Sequence, residues 1–134
     1  MRFPVQGNDF MQAGDASSKI KRALQQIGME SSLVRRAAIA SYEAEMNIVI
    51  HAHHGELILT IWPNLIQIVA ADVGPGISDI DLAMQVGYST APESVRQMGF
   101  GAGMGLPNMQ KCADEMQVET KVGEGTRIVV KINL

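Results

Sequence analysis

The chain has 134 residues, 46% of them hydrophobic and 19% charged, so a real core is expected and global disorder is excluded. The formal net charge of −3, with no basic patch, argues against a general binder of nucleic acid or of anionic membranes. Apolar runs such as Ile66 to Val73 are too short to cross a bilayer, Met1-Arg-Phe-Pro lacks a signal-peptide core, and a lone Cys112 fits a reducing cytoplasm.

Taken in order, residues 1–6 alternate Phe3 and Val5 with Arg2 and Pro4, which predicts an edge strand, because proline cannot donate to an inner ladder. Asp15 or Ser17 caps a helix to about Ile27, with Ile20, Leu24 and Ile27 on one face and Gly28 as its stop. Ser31 or Ser32 opens a second helix to about His51. Leu33, Ala37, Ala40 and Ala44 form one apolar stripe on it, and Ile39, Met46 and Ile50 a second. After Gly55, residues 57–62 and 66–70 are apolar on both faces around Pro63-Asn64, which predicts a hairpin of central strands. Ser78 or Asp79 caps a short helix over about 79–85, and residues 86–103 read as a long loop. A helix over about 105–115 turns Leu106, Met109, Cys112 and Ala113 inward, and strands at 116–120 and 126–134 close the chain around Gly123-Glu-Gly125. This order predicts one α+β domain over 1–134, a two-layer sandwich with a mixed, mainly antiparallel sheet and helices on one face.

Some polar residues do not suit these surroundings. Glu43, Asn47 and His51 recur every four residues, a polar stripe between the two apolar ones. Asn47 stands among Met46, Ile48, Val49 and Ile50, where it needs either a backbone partner or an oxygen-seeking ion such as Mg2+. Glu43 is either a solvated helix residue or a base near a nucleophile, and His51 either a site residue or a partner of the helix dipole. Asp72 ends an apolar strand beside Gly74 and Gly76, where it serves as a turn cap or as the acceptor for an exocyclic amine. Thr126 follows Gly125 as an ordinary strand residue or as a hydroxyl in the same pocket. In Gly99-Phe-Gly-Ala-Gly-Met-Gly105 alternate glycines run into a helix start, which suits a flexible segment or an anion site. His51, His53 and His54 have no Cys or carboxylate cluster beside them and match no zinc spacing.

In their order, Glu43-Ala-Glu-Met-Asn47, Asp72-Val-Gly-Pro-Gly76, Gly99 to Leu106 and Gly125-Thr126 resemble the ATP-binding domain shared by gyrase, Hsp90, histidine kinases and MutL. The short chain is most similar to the bacterial anti-sigma factors and switch-protein serine/threonine kinases of partner-switching systems. Gly87-Tyr-Ser-Thr90 and Leu106-Pro-Asn-Met109 look like the switch kinases, and His51 like the anti-sigma group. The resemblance implies ATP and Mg2+ as cofactors, with Asn47 on the metal and Glu43 as general base for a protein hydroxyl. It implies Asp72, Gly74 and Gly76 at the adenine, with Thr126 supporting them through water. Gly101, Gly103, Gly105 and Leu106 would lie at the phosphates, beneath a lid formed by the loop. As partners it implies a STAS-type antagonist protein and a sigma factor or other switch protein, and it admits a homodimer. No histidine-phosphorylation domain is read, so a complete sensor kinase is not expected. A module that sequesters a partner without phosphotransfer is the alternative function.

Overall fold

The structure, a computed structural model, describes residues 1–85 and 105–134. The chain forms β1 (Arg2–Gln6), α1 (Asp15–Gln26), α2 (Ser31–His51), β2 (His54–Trp62), β3 (Leu65–Val73), α3 (Ile80–Ala83), α4 (Gly105–Cys112), β4 (Glu115–Lys121) and β5 (Gly125–Asn133). The strands lie in the order β1-β2-β3-β5-β4, so β2 and β3 are interior and β1 is an edge, as their patterns require.

Every neighbouring pair among these strands is antiparallel, and the expected mixed sheet is corrected to an antiparallel one. Two tight hairpins impose that direction on β2–β3 and β4–β5. The crossover from β3 to β4 does leave those two strands parallel. β5 lies between them, so no parallel pair hydrogen-bonds.

Alternation sets which face is covered. Leu57, Leu59, Ile66, Ile68, Ala70, Ile128, Val130 and Ile132 point to the helices, where they meet Ile20, Leu24, Ala37, Ala40, Ala44, Ile48 and Met109. Full burial of each Leu or Ile contributes about 1.5–3 kcal/mol before the entropy of ordering is offset. Two residues of the expected stripes fail to join this layer. Ile27 is exposed because the helix ends at Gln26 and Gly28 takes a left-handed φ of 76°. Ile39 is exposed because it lies off the inward face of α2, which runs through the expected Ala37, Ala40 and Ala44 and also through Val34, Ser41, Glu45 and Ile48.

The helix ends also depart from the expected caps. α1 has Gly14 as its N-cap with no side-chain cap of its own. The carboxylate of Glu45 supplies one across the layer, accepting from the N–H groups of Gly14 at 3.1 Å, Ala16 at 3.1 Å and Ser17 at 3.0 Å. α2 is capped by Glu30, not by a serine. Its carboxylate accepts from the Ser32 and Leu33 N–H groups, and the Ser32 hydroxyl beside it holds its pKa below the usual value. α3 is shorter than expected but keeps one of its two expected caps, Asp79, whose carboxylate accepts the Leu82 N–H. α4 stops at Cys112 because the next residues are bound elsewhere. Asp114 accepts the Asn133 N–H at 2.7 Å and pairs with Arg36, while Arg36 Nε donates to the Cys112 carbonyl at 3.0 Å. No helix among the described residues is long and apolar enough to cross a membrane.

Candidate functional site

α2 carries the first half of the site. Glu43, Asn47 and His51 follow its axis at one turn each, about 12 Å from first to last at 1.5 Å per residue. All three are partly buried. The N-terminus of α4 stands over the first two. A Cβ placed on Gly105 would lie 3.2 Å from Asn47 Oδ1 and 3.6 Å from Glu43 Oε2. Only a residue without a side chain leaves that space free. Asn108, one turn along α4, donates from Nδ2 to Glu43 Oε1 at 3.2 Å. α4 is fixed in rotation because Leu106, Met109 and Cys112 face the core.

The bland account of Asn47, an amide bonded to nearby backbone, does not hold. Among the described residues no hydrogen bond engages its partly buried side chain. Its oxygen is therefore free to take a hard cation, while the described residues contain no cluster of three His, Cys, Asp or Glu that would hold a metal alone. That donor set suits Mg2+, which takes few protein ligands and completes its shell with phosphate oxygens and water.

The second half lies at the end of β3. Asp72 Oδ1 accepts the Thr126 backbone N–H at 3.1 Å. Burial pushes the Asp72 pKa up, and the Thr126 N–H partly opposes it. The Thr126 hydroxyl bonds to Thr120 Oγ1 at 3.0 Å, and Thr120 Oγ1 accepts the Ile77 N–H at 2.8 Å. Thr126 thus holds Asp72 through its amide. A Cβ on Gly125 would overlap the Asp72 carbonyl, so the close approach of β5 to β3 needs glycine there. Asp72, Thr120 and Thr126 open onto a cavity of about 350 Å³ that Glu119, Lys121, Glu124 and Arg127 also line.

The two halves meet at the end of α2. A Cβ on Gly74 would come within 2.9 Å of Ala52 Cα, and the His53 N–H donates to the Val73 carbonyl at 2.8 Å. The space beside Gly74 and Gly76 is filled by the chain's own backbone, at Ala52 and at the Lys121 carbonyl respectively. Burial holds the His51 pKa below its ordinary value, the reverse of what pairing with the helix dipole would bring. His53 and His54 are exposed at the start of β2. Burial pushes the Cys112 thiol up, which suits a packed side chain and not a nucleophile. Gly87 to Thr90, Gly99, Gly101, Gly103 and the expected lid lie outside the described residues.

Three contributors escape the sequence reading. Glu45 carries one signal, an acidic residue on the inward stripe of α2. Asn108 carries another, its three-residue spacing from Gly105 on one helix face. Thr120 shows only the alternation of an ordinary strand.

An α+β sandwich with this sheet order, an asparagine turned toward a glycine-started helix and a carboxylate closing the central strand is the architecture of a nucleotide-binding ATPase domain. Residues 33–134 match the family described as histidine kinase-, DNA gyrase B-, and HSP90-like ATPase, and the chain belongs to it. β1 and α1 precede the matched region and pack into the same core. An anti-sigma F factor from Caldanaerobacter subterraneus subsp. tengcongensis is 40% identical over 91 residues, 64% of this chain and 60% of the relative. The serine/threonine-protein kinase RsbT of Bacillus subtilis is 33% identical over 97 residues, 69% of this chain and 67% of the relative. The match thus spans about 60% of the length of the anti-sigma relative. Among solved structures, the SiaB-SiaC complex from Pseudomonas aeruginosa gives a TM-score of 0.67 at 12% identity, covering 98% of this chain and 88% of that one. The mycobacterial sensor histidine kinase MprB gives 0.55 at 17% identity, covering 99% and 97%. These two likenesses show the fold alone.

Proposed function

We propose that residues 1–134 act as one ATP-binding unit in the cytoplasm, an ATP- and Mg2+-dependent protein serine/threonine kinase that phosphorylates a STAS-type antagonist in a partner-switching system. The observation that carries this reading is the convergence of Glu43 and Asn47 on Gly105, a carboxylate and a free amide oxygen at the start of a helix. The similarity to RsbT, named a serine/threonine-protein kinase, agrees with it. Asp72 accepts the adenine amine, and Gly105 with Leu106 lies at the phosphates, where helix N–H groups favour an anion. Asn47 would hold Mg2+, which would supply positive charge to offset that of the phosphates. Glu43 takes the proton of a partner serine or threonine as its oxygen forms the new bond to the γ-phosphorus. The bond from that phosphorus to the β–γ bridging oxygen breaks, and ADP leaves.

A second reading is a nucleotide-dependent module that sequesters a sigma factor or other regulator without transfer. The relatives named anti-sigma F factor favour it. Incubation with γ-labelled ATP and a STAS-domain protein separates the two. The kinase reading expects label on a serine or threonine of that protein and a loss of about 100-fold or more in Glu43→Gln. Tight nucleotide binding with no label transferred would leave only the sequestering module.

A further inference from the structure

We infer that Asn108 is a positioning residue for the Glu43 carboxylate, coupling the placement of α4 to the orientation of the proposed base. The inference rests on the kinase reading of Glu43 and goes beyond it, since it assigns a role to a residue outside the nucleotide and metal sets.

An ionised carboxylate only accepts, so the Asn108 amide must present Nδ2 to it. That bond, 3.2 Å to Oε1, occupies one oxygen of Glu43. The other, Oε2, lies at Gly105, on the side where the helix start would receive phosphate. A glutamate on a helix has three rotatable bonds, and its terminal torsion is broad. Without a donor the carboxylate can turn Oε2 away from the helix start. With Asn108 in place, one oxygen is held and its twin stays aimed. Gly105 and Asn108 are three apart on α4 and share one face, so any movement of α4 moves the phosphate-side backbone and the donor together. The rotation of α4 is set from the other face by Leu106, Met109 and Cys112. Both Glu43 and Asn108 are partly buried, so their bond is less exposed to competition from water.

The test uses the whole chain. Asn108→Leu removes the donor at similar volume, and Asn108→Asp removes it with the shape kept, so the second remains informative if the first folds poorly. Nucleotide affinity, single-turnover transfer from labelled ATP and intrinsic ATP hydrolysis are measured for each. Expected is a fall of about 10–100-fold in transfer and hydrolysis, with affinity for ATP within about twofold of the wild type. A residue that only supports the fold would lower affinity along with rate. A second readout needs no activity: the side-chain amide signal of Asn108, assigned by its loss in Asn108→Asp, is expected to move in Glu43→Ala. Transfer and hydrolysis within twofold of wild type in both Asn108 variants, or an unmoved amide signal, would overturn the inference. A wild type that hydrolyses ATP but labels no protein removes the acceptor assignment and leaves hydrolysis to decide Asn108. A wild type that binds Mg-ATP and does neither overturns both readings. Full activity in Glu43→Gln alongside slow Asn108 variants overturns this one.

Discussion

Asp72 shows how a single residue's environment becomes a measurable property. It closes a strand whose other inward residues are apolar, and burial disfavours its charge, while one N–H from Thr126 steadies it. Its pKa therefore stands above its ordinary value. An adenine amine donates, so it pairs best with the ionised form. Affinity for adenosine, which carries no phosphate to titrate, is expected to be full at neutral pH. It should fall as the pH drops through the raised pKa of Asp72, earlier than an unperturbed aspartate would bring. The other charged groups on the cavity, Glu119, Lys121, Glu124 and Arg127, are exposed and exert a screened influence. Asp72→Asn should weaken adenosine by about 10-fold or more and flatten the pH dependence, as calorimetric titration across pH would show. Unchanged preference for ATP over GTP in that variant would count against the adenine contact.

Between elements, one side chain couples α1 to α2. Glu45 is 2% exposed, yet both its oxygens accept, three N–H bonds in all, from the first turn of α1. These donors have no intrahelical partner, and the positive end of the helix faces the carboxylate. Replacing Glu45 by Leu would leave buried N–H groups unpaired, each costing about 1–3 kcal/mol. Chemical denaturation of Glu45→Leu is expected to show a loss of about 3 kcal/mol, with Glu45→Gln, which keeps one acceptor, losing less. Amide exchange should accelerate first in α1. A loss below about 0.5 kcal/mol would show that packing of Ile20 and Leu24 alone holds the helix.

For the molecule as a whole, the site lies between layers, so a nucleotide that binds it should stabilise the entire fold. At 100-fold excess over its Kd a ligand adds about 2.7 kcal/mol, which for a chain of this size raises Tm by roughly 10 °C. The rise with ATP is expected to be larger with Mg2+ than with chelator. Asn47→Ala should erase that difference and keep the smaller rise, because in the proposed reading the amide would serve the ion and Asp72 the base. Thermal unfolding of both proteins under the two conditions checks it; an equal metal-dependent rise in Asn47→Ala would remove Asn47 from the metal.

Periodicity and the polar misfits determined a great deal by themselves. Alternating apolar residues on both faces at 57–62 and 66–70 placed β2 and β3 inside the sheet, because only interior strands are covered twice. Asn47 was conspicuous among aliphatic neighbours, and four motifs in order, Glu43 to Asn47, Asp72 to Gly76, Gly99 to Leu106 and Gly125-Thr126, were enough to name the family. What the chain could not show by local pattern was set by contacts between distant residues. The antiparallel arrangement depends on β5 lying between β3 and β4, which no hairpin signal specifies. Glu45 stood on the inward stripe of α2 with no local partner, and its role came only when α1 packed onto it, 28 to 31 residues away in sequence. Asn108 meets Glu43 across 65 residues. Residue type and spacing determine which groups are available on each face. Which of them touch is decided only when two layers close, because a hydrogen bond depends on distances that chain separation does not encode.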